Sequence, residues 1–504
     1  MVTMYDGQEE LDNLVWDNND EESEESIKQL RHKDTCRKVE ALAEQKLGEP
    51  SSLVSPLILG GFNILYRIRR ANTSPDVMVR LPCPALVQFP DEKTKQEFAT
   101  AAFVAQNTDL PIPRHLFYGQ DSDIGPYVIM ERVENNGSMS ARLTRPNEDA
   151  SAPHVLDANV SESTLENIWG QVAKCLLQLS RLTFPRIGSL MEANEAVYDV
   201  AGRPISHNMA DMVRLANVPR EVLPPAGTTY TTADEWYTAL AEMHIAQLIF
   251  QHNDLVTSED DCRNKYVARQ IFRRLAKQGR FSTFGFLEDN WSAQSRKLPS
   301  SSLCPAPSNS DSFRLWGDDF RAGNILLTDS DNIAALIDWE YTYAAPTQFI
   351  LDPPWWLLIE TIEMWSSGMD DWIDTYNVRL KTWLLAMEKT ERDIKEPNSL
   401  AEPLSRYMRE SWETGRFFLS YGARKSWAFD AMYWKFLDER FFGQRESNIS
   451  KSDLWKTRIH LLTDEERAAM EPFVEKKMAE MKVRRIVHWD PVDAKKRLSE
   501  LLFD

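Results

Sequence analysis

Two short apolar runs, Ile325-Leu326-Leu327 and Ile333-Ala334-Ala335-Leu336-Ile337, flank the polar turn Asp329-Ser330-Asp331-Asn332. The pattern reads as a β-hairpin. It constrains the chain more than any other segment because of the residues it brings together. Asn324 precedes one arm and Asp338 ends the other. Residues roughly equidistant from a turn lie opposite each other, so this pair is expected to meet at the open end of the hairpin. An amide oxygen beside a carboxylate makes an all-oxygen site, the ligand chemistry that Mg²⁺ prefers. Asp319 lies in the loop leading to the same end. There its carboxylate can accept the proton of an attacking hydroxyl while a metal neutralises developing phosphate charge. The competing reading is an acidic turn on a surface hairpin.

Charge removes one class of partner. The 504 residues carry 58 Lys plus Arg against 77 Asp plus Glu, a formal −19, and no basic stripe interrupts that field. Nucleic acid is therefore not expected as a partner. Five scattered cysteines, without a CxxC pair or a His at ligand spacing, argue against zinc and fit a reducing compartment. The longest apolar cluster, Trp355-Trp356-Leu357-Leu358-Ile359, is too short to cross a bilayer. The N-terminus is acidic and lacks the pattern of a signal or transit peptide. A soluble, cytoplasmic chain is expected, and no segment specifies an oligomeric state.

Residues 1–35 contain the cluster Asp20-Glu21-Glu22-Ser23-Glu24-Glu25 and read as a solvated, flexible acidic tail or a frayed first helix. Between Leu57 and Leu81, β-branched runs are broken by Gly60-Gly61 and by Asn72-Thr73-Ser74-Pro75-Asp76, the signature of an antiparallel meander. Residues 91–107 read as a helix with Phe98, Ala101, Ala102 and Ala105 on its apolar stripe. Tyr127-Val128-Ile129-Met130 reads as a strand. Helical spacing then dominates, in Leu165–Leu182 and again in the Trp372–Met387 face, which is core rather than a cofactor box. The expected units are the tail, an N-lobe over 36–133 and a helical C-lobe over 134–504.

The order Asp319-x-x-x-x-Asn324, then Ile337-Asp338-Trp339-Glu340, resembles the catalytic and metal-binding loops of the aminoglycoside phosphotransferase family, itself kinase-like. The run Leu315-Trp316-Gly317-Asp318-Asp319-Phe320-Arg321-Ala322-Gly323-Asn324, with Asp352-Pro353-Pro354-Trp355-Trp356 downstream, looks most like the fungal branch. The resemblance implies an α+β, bilobal protein-kinase-like fold, with a small antiparallel-sheet N-lobe and a larger, mainly helical C-lobe. It implies ATP and Mg²⁺ as cofactors and a small-molecule hydroxyl as acceptor. Asp319 would be the catalytic base, and Asn324 and Asp338 the metal ligands. Arg321 stands where many protein kinases keep a Lys near the γ-phosphate. Gly60, Gly61, Phe62 and Asn63 would form the nucleotide loop, whose glycines admit backbone N–H groups to phosphates. Arg80 falls where the family places a phosphate-binding Lys, and Glu97 where its ion-pair partner belongs. Met130, Glu131 and Val133 belong to a hinge-like strand that would meet adenine.

Two positions depart from the family pattern. Gly317 replaces a His two residues before the base, and Arg80 replaces the Lys. Arg keeps the charge but aims a bulkier planar fork, and it can instead pair with Glu97 without touching nucleotide. Asp318 and Asp352 read as structural, and His115, His207, His244 and His252 as isolated histidines. Besides an active small-molecule kinase, these departures leave open a kinase-fold pseudoenzyme that binds nucleotide or acts through partners. A protein kinase is the least supported reading, because no Ala-Pro-Glu-type anchor follows Asp338 and the segment is too short for an activation loop.

Overall fold

Alternation along Val77–Pro82 decides which way the N-terminal sheet faces. Val77, Val79 and Leu81 join one apolar cluster, while Met78 joins another on the opposite face. The strand is buried throughout, as a central strand covered on both sides must be. A computed structural model describes residues 12–71, 75–146, 154–297, 303–394 and 400–503. The proposed turn residues Asn72, Thr73 and Ser74 lie outside them, as do residues 1–11 of the acidic segment.

The chain begins with helices α1 (Asn13–Leu30) and α2 (Lys33–Leu47), followed by strands β1 (Ser51–Leu59), β2 (Asn63–Arg70) and β3 (Val77–Pro82). Helix α3 (Pro90–Asn107) precedes β4 (His115–Asp121) and β5 (Gly125–Glu131). These strands form a five-stranded antiparallel sheet in the order β1-β2-β3-β5-β4. Val39, Leu42 and Ala43 of α2 cover one face, against Ile64, Tyr66 and Ile68. The other face carries Met78, Val128 and Met130, with Leu65 beside them.

Beyond Glu131 the chain is mainly helical: α4 (Met139–Leu143), α5 (Glu162–Leu179), α6 (His207–Ala216), α7 (Ala233–Phe250) and α8 (Glu259–Lys277). Short strands interrupt them: β6 (Thr183–Phe184), β7 (Ser189–Asn194), β8 (Val197–Gly202) and β9 (Phe313–Gly317). The hairpin β10 (Ile325–Leu327) and β11 (Ile333–Leu336) follows, then β12 (Thr342–Ala345), which pairs with β9. Later helices include Met369–Asp393, in which Trp372, Tyr376, Leu380, Trp383 and Met387 are buried, as their spacing predicts. The arrangement is the α+β, two-lobed one that the resemblance implied, a small antiparallel-sheet lobe and a larger, mainly helical one. Among the described residues no helix is long and apolar enough to cross a membrane.

The acidic segment takes the helical one of its two readings, but without fraying: from Asn13 it is a helix tied down at both ends rather than a flexible tail. Its charge run faces solvent at Asp20, Glu21, Glu22, Glu24 and Glu25, while Val15, Ser23 and Leu30 are buried. The anchor is Asp12, fully buried, which caps the helix by accepting from the Val15 N–H (3.1 Å). It also accepts from the Asn253 backbone N–H (3.2 Å) and side-chain amide (2.9 Å). At the far end the Leu30 carbonyl accepts from the Tyr66 hydroxyl at 2.6 Å. The helix thus spans from the helical lobe to the back of the sheet. Charge density alone misses this because the anchors lie 36 and 241 residues away in sequence.

Candidate active site

The hairpin does what its sequence requires. Ile325 pairs with Leu336 and Leu326 with Ala335, and the Ile337 N–H donates to the Asn324 carbonyl at 3.0 Å. Asn324 and Asp338 therefore sit at the same open end. The Asn324 amide donates to the Asp319 carboxylate (2.9 Å) and backbone carbonyl (2.8 Å), closing the loop that carries Asp319. Arg321 Nε donates to the other Asp319 oxygen at 2.6 Å, so this exposed side chain covers Asp319 directly. Asp338 and Tyr341 adopt φ of +63° and +59°, a left-handed backbone that non-glycine residues keep mostly where surrounding structure enforces it.

The position without its His is tightly packed: a Cβ on Gly317 would come within 3.1 Å of both Phe320 Cβ and Thr342 Oγ1, so a side chain there needs its neighbours to yield by a few tenths of an ångström. Asp318 supports the loop instead. It accepts from Trp316 Nε1 (2.6 Å) and the His207 N–H (3.2 Å), and it faces Arg424 at 3.6 Å. Asp352 likewise supports its segment, accepting from the Ser411 hydroxyl at 2.5 Å.

The two lobes meet in a buried charge cluster. Arg80, on the cleft face of β3, pairs with Glu97 of α3 through one terminal nitrogen. Its other terminal nitrogen donates to Asp338 (2.8 Å) and to Glu340 (2.7 Å). The same Glu340 oxygen accepts from Lys93 of α3 and from the Asn63 amide (3.3 Å). Burial raises the Glu97 carboxyl above its usual range, against the pull of Arg80. Burial opposes charge on Arg80 too, yet Asp338 and Glu97 hold it above its ordinary value. Lys93 goes the other way: burial, with Arg80 beside it, draws its ammonium down to about 7. Neither Lys93 nor Glu340 stood out in the sequence. Lys93 is one helical turn before Glu97, and Glu340 two residues past Asp338, which is the signal that could have found them.

Gly60 and Gly61 are exposed in the β1–β2 connection, closed by the Gly60 N–H donating to the Asn63 carbonyl at 2.9 Å. Phe62 turns into the cleft, edge-on to His207 (5.6 Å) and Tyr341 (5.8 Å) between ring centroids. The hinge-like segment contributes Met130 to the apolar patch with Met78 and Val128. The N–H of Glu131 donates to the Arg114 carbonyl (2.9 Å), and the Val133 carbonyl accepts from Asn135 (2.9 Å).

Beside Asp319 opens a cleft of about 190 Å³, lined among others by Phe62, His207, Trp355, Lys425 and Trp427. His207 belongs to it, whereas the other three histidines bond backbone carbonyls, of Pro113, Ala423 and Val483. Burial disfavours charge on His207, but Asp211, 2.8 Å away, outweighs it and raises the imidazole above its ordinary value. Lys425 faces Glu363 at 3.4 Å and lies 4.8 Å from the Trp355 ring.

No known family profile matches this chain, and no curated protein matches it either. Solved structures do. One is a thermostable mutant of aminoglycoside phosphotransferase APH(4)-Ia in ternary complex with AMP-PNP and hygromycin B, at 14% identity and TM-score 0.34, covering 88% of this chain and 98% of that one. Another is the GDP complex of wild-type aminoglycoside 2'-phosphotransferase-IIIa, at 12% identity and TM-score 0.37, covering 88% and 98%. Similarity of this order leaves the chemistry to be argued from the residues.

Proposed function

We propose that the protein is a small-molecule kinase that transfers the γ-phosphate of ATP, with Mg²⁺, to a hydroxyl acceptor. The observation that carries this reading is the meeting of Asp319, Asn324 and Asp338 at one end of a hairpin, beneath a sheet whose Arg80 bonds Asp338. The donors suit a hard cation: an amide oxygen and a carboxylate, with Asp319 adjacent. Among the described residues no group of three or more His, Cys, Asp or Glu stands ready for a metal. Mg²⁺ keeps waters and takes phosphate oxygens rather than filling a protein cage. Asn324 and Asp338 would hold it, and its charge would offset that developing on the transferred phosphoryl group.

The remaining chemistry belongs to this chain. Asp319, kept in place by Asn324 and Arg321, accepts the proton of an acceptor hydroxyl in the adjoining cleft. Gly60 and Gly61 let backbone N–H groups approach phosphates, and Met78, Val128 and Met130 offer an apolar surface to a base. Cleft charges are paired, Asp318 with Arg424 and Lys425 with Glu363, which leaves the aromatic faces to orient an acceptor. Phosphorus NMR of a panel of hydroxylated metabolites incubated with Mg·ATP tests the reading. A phosphorylated product is expected with the wild type and is lost with Asp319→Asn. Equal turnover in that variant removes Asp319 from the base role.

One observation favours a second reading, a kinase-fold module that holds nucleotide without turnover. Arg80 is bonded to the proposed metal ligand Asp338 as well as to Glu97. Nucleotide binding that is indifferent to Mg²⁺, with no phosphorylated product, would select this alternative.

A further inference from the structure

We infer that Lys93, rather than Arg80, is the side chain that meets the nucleotide's phosphates, and that Arg80 is a positioning residue. The inference rests on the nucleotide-binding reading above and assigns the contact within it. Arg80 is committed on every side: its two terminal nitrogens serve the three carboxylates Glu97, Asp338 and Glu340. Turning its fork toward a phosphate would strand the buried Glu97 even with Asp338 taken up by a metal, and a buried carboxylate without a partner is costly.

Lys93 stands differently. Its ammonium carries three donors and bonds the one carboxylate, Glu340. If it swings away, the Glu340 oxygen keeps Arg80 at 2.7 Å and Asn63 at 3.3 Å. The Lys stem is flexible and its charge a point, so the reorientation asks little of its neighbours. It also faces the right element. The ammonium lies 5.6 Å from the ring of Phe62, next to Gly61 in the β1–β2 connection, and 5.5 Å from Tyr341, three residues past Asp338. Movement of that glycine connection would uncover Lys93 where phosphates enter.

Calorimetric titration of the full chain with Mg·AMP-PNP and, separately, with adenosine tests the assignment. Lys93→Met is expected to weaken Mg·AMP-PNP by about 10- to 100-fold, the usual size of a lost charge-assisted hydrogen bond, and to leave adenosine affinity unchanged. Lys93→Arg should recover part of the loss. Should Lys93→Met fail to fold, nitrogen NMR of lysine-labelled wild type replaces it: the Lys93 ammonium resonance should shift with Mg·AMP-PNP and stay put with adenosine. Wild-type affinity for Mg·AMP-PNP in Lys93→Met, an equal loss for both ligands, or an unmoved ammonium resonance each overturns the assignment while sparing the function. A wild type that binds neither ligand overturns both.

Discussion

Replacing Glu340 with Gln tests the charge cluster that joins the lobes. The Glu340 side chain is fully buried, and one of its oxygens accepts from Arg80, Lys93 and Asn63. Arg80 keeps Glu97 and Asp338 after the substitution, whereas Lys93 loses its bonded carboxylate and stays buried. Removing one partner of a buried pair costs about 3–5 kcal/mol, and here most of it falls on Lys93. Lys93 sits near 7 already, and losing the carboxylate lowers it further. The cost therefore grows as pH falls below about 7 and shrinks above it, where the ammonium sheds its proton in either protein. Urea unfolding followed by circular dichroism at pH 6 and pH 8.5 measures this directly. In a double variant with Lys93→Met the stranded cation is gone, so the combined cost should fall short of the sum by about 1–3 kcal/mol. Additive costs, or a loss below about 1 kcal/mol at the lower pH, would refute the cluster's geometry.

Other outcomes follow from single contacts. Asp319→Asn should cut turnover by about 10²–10⁴-fold, the usual general-base contribution, with nucleotide affinity retained in a calorimetric titration. Asp338→Ala should abolish the Mg²⁺-dependent part of the thermal stabilisation by ATP, since only binding to the native state raises the melting temperature. Asp12→Ala leaves the Asn253 and Val15 backbone N–H groups without their acceptor; about 1–3 kcal/mol of stability should go, with protease cuts appearing within Asn13–Leu30. The raised His207 stabilises the fold below its ordinary value of 6.5, and that contribution fades as pH rises through its higher folded value. A melting-temperature profile from pH 6 upward should thus decline more steeply in the wild type than in His207→Gln.

Local spacing made the hairpin pairing legible and hid what holds the site together. Asn324 and Asp338 could be paired from the sequence because a hairpin's register follows from its turn, and Ile337 bonding Asn324 is the direct result. Arg80 with Glu97 came from the family resemblance, which expects an ion pair at those two positions, and the two side chains do pair. Glu340 was invisible as a hub because its partners Asn63, Arg80 and Lys93 lie 277, 260 and 247 residues away. His207 looked isolated because only the fold sets it against Phe62 and Asp318. Gly317 looked like a loss, and only the fold shows how closely Phe320 and Thr342 pack around it. Charge density misjudged α1 for the complementary reason: two buried ends outweigh an exposed acidic middle.

Crystals grown with AMP-PNP and Mn²⁺ in place of Mg²⁺ offer the most direct measurement, because manganese is located by its anomalous scattering. One anomalous peak is expected within bonding distance of the Asn324 amide oxygen and the Asp338 carboxylate, bridging to the triphosphate under the sheet. A triphosphate bound elsewhere, or manganese that leaves residues 324 and 338 untouched, would contradict the account.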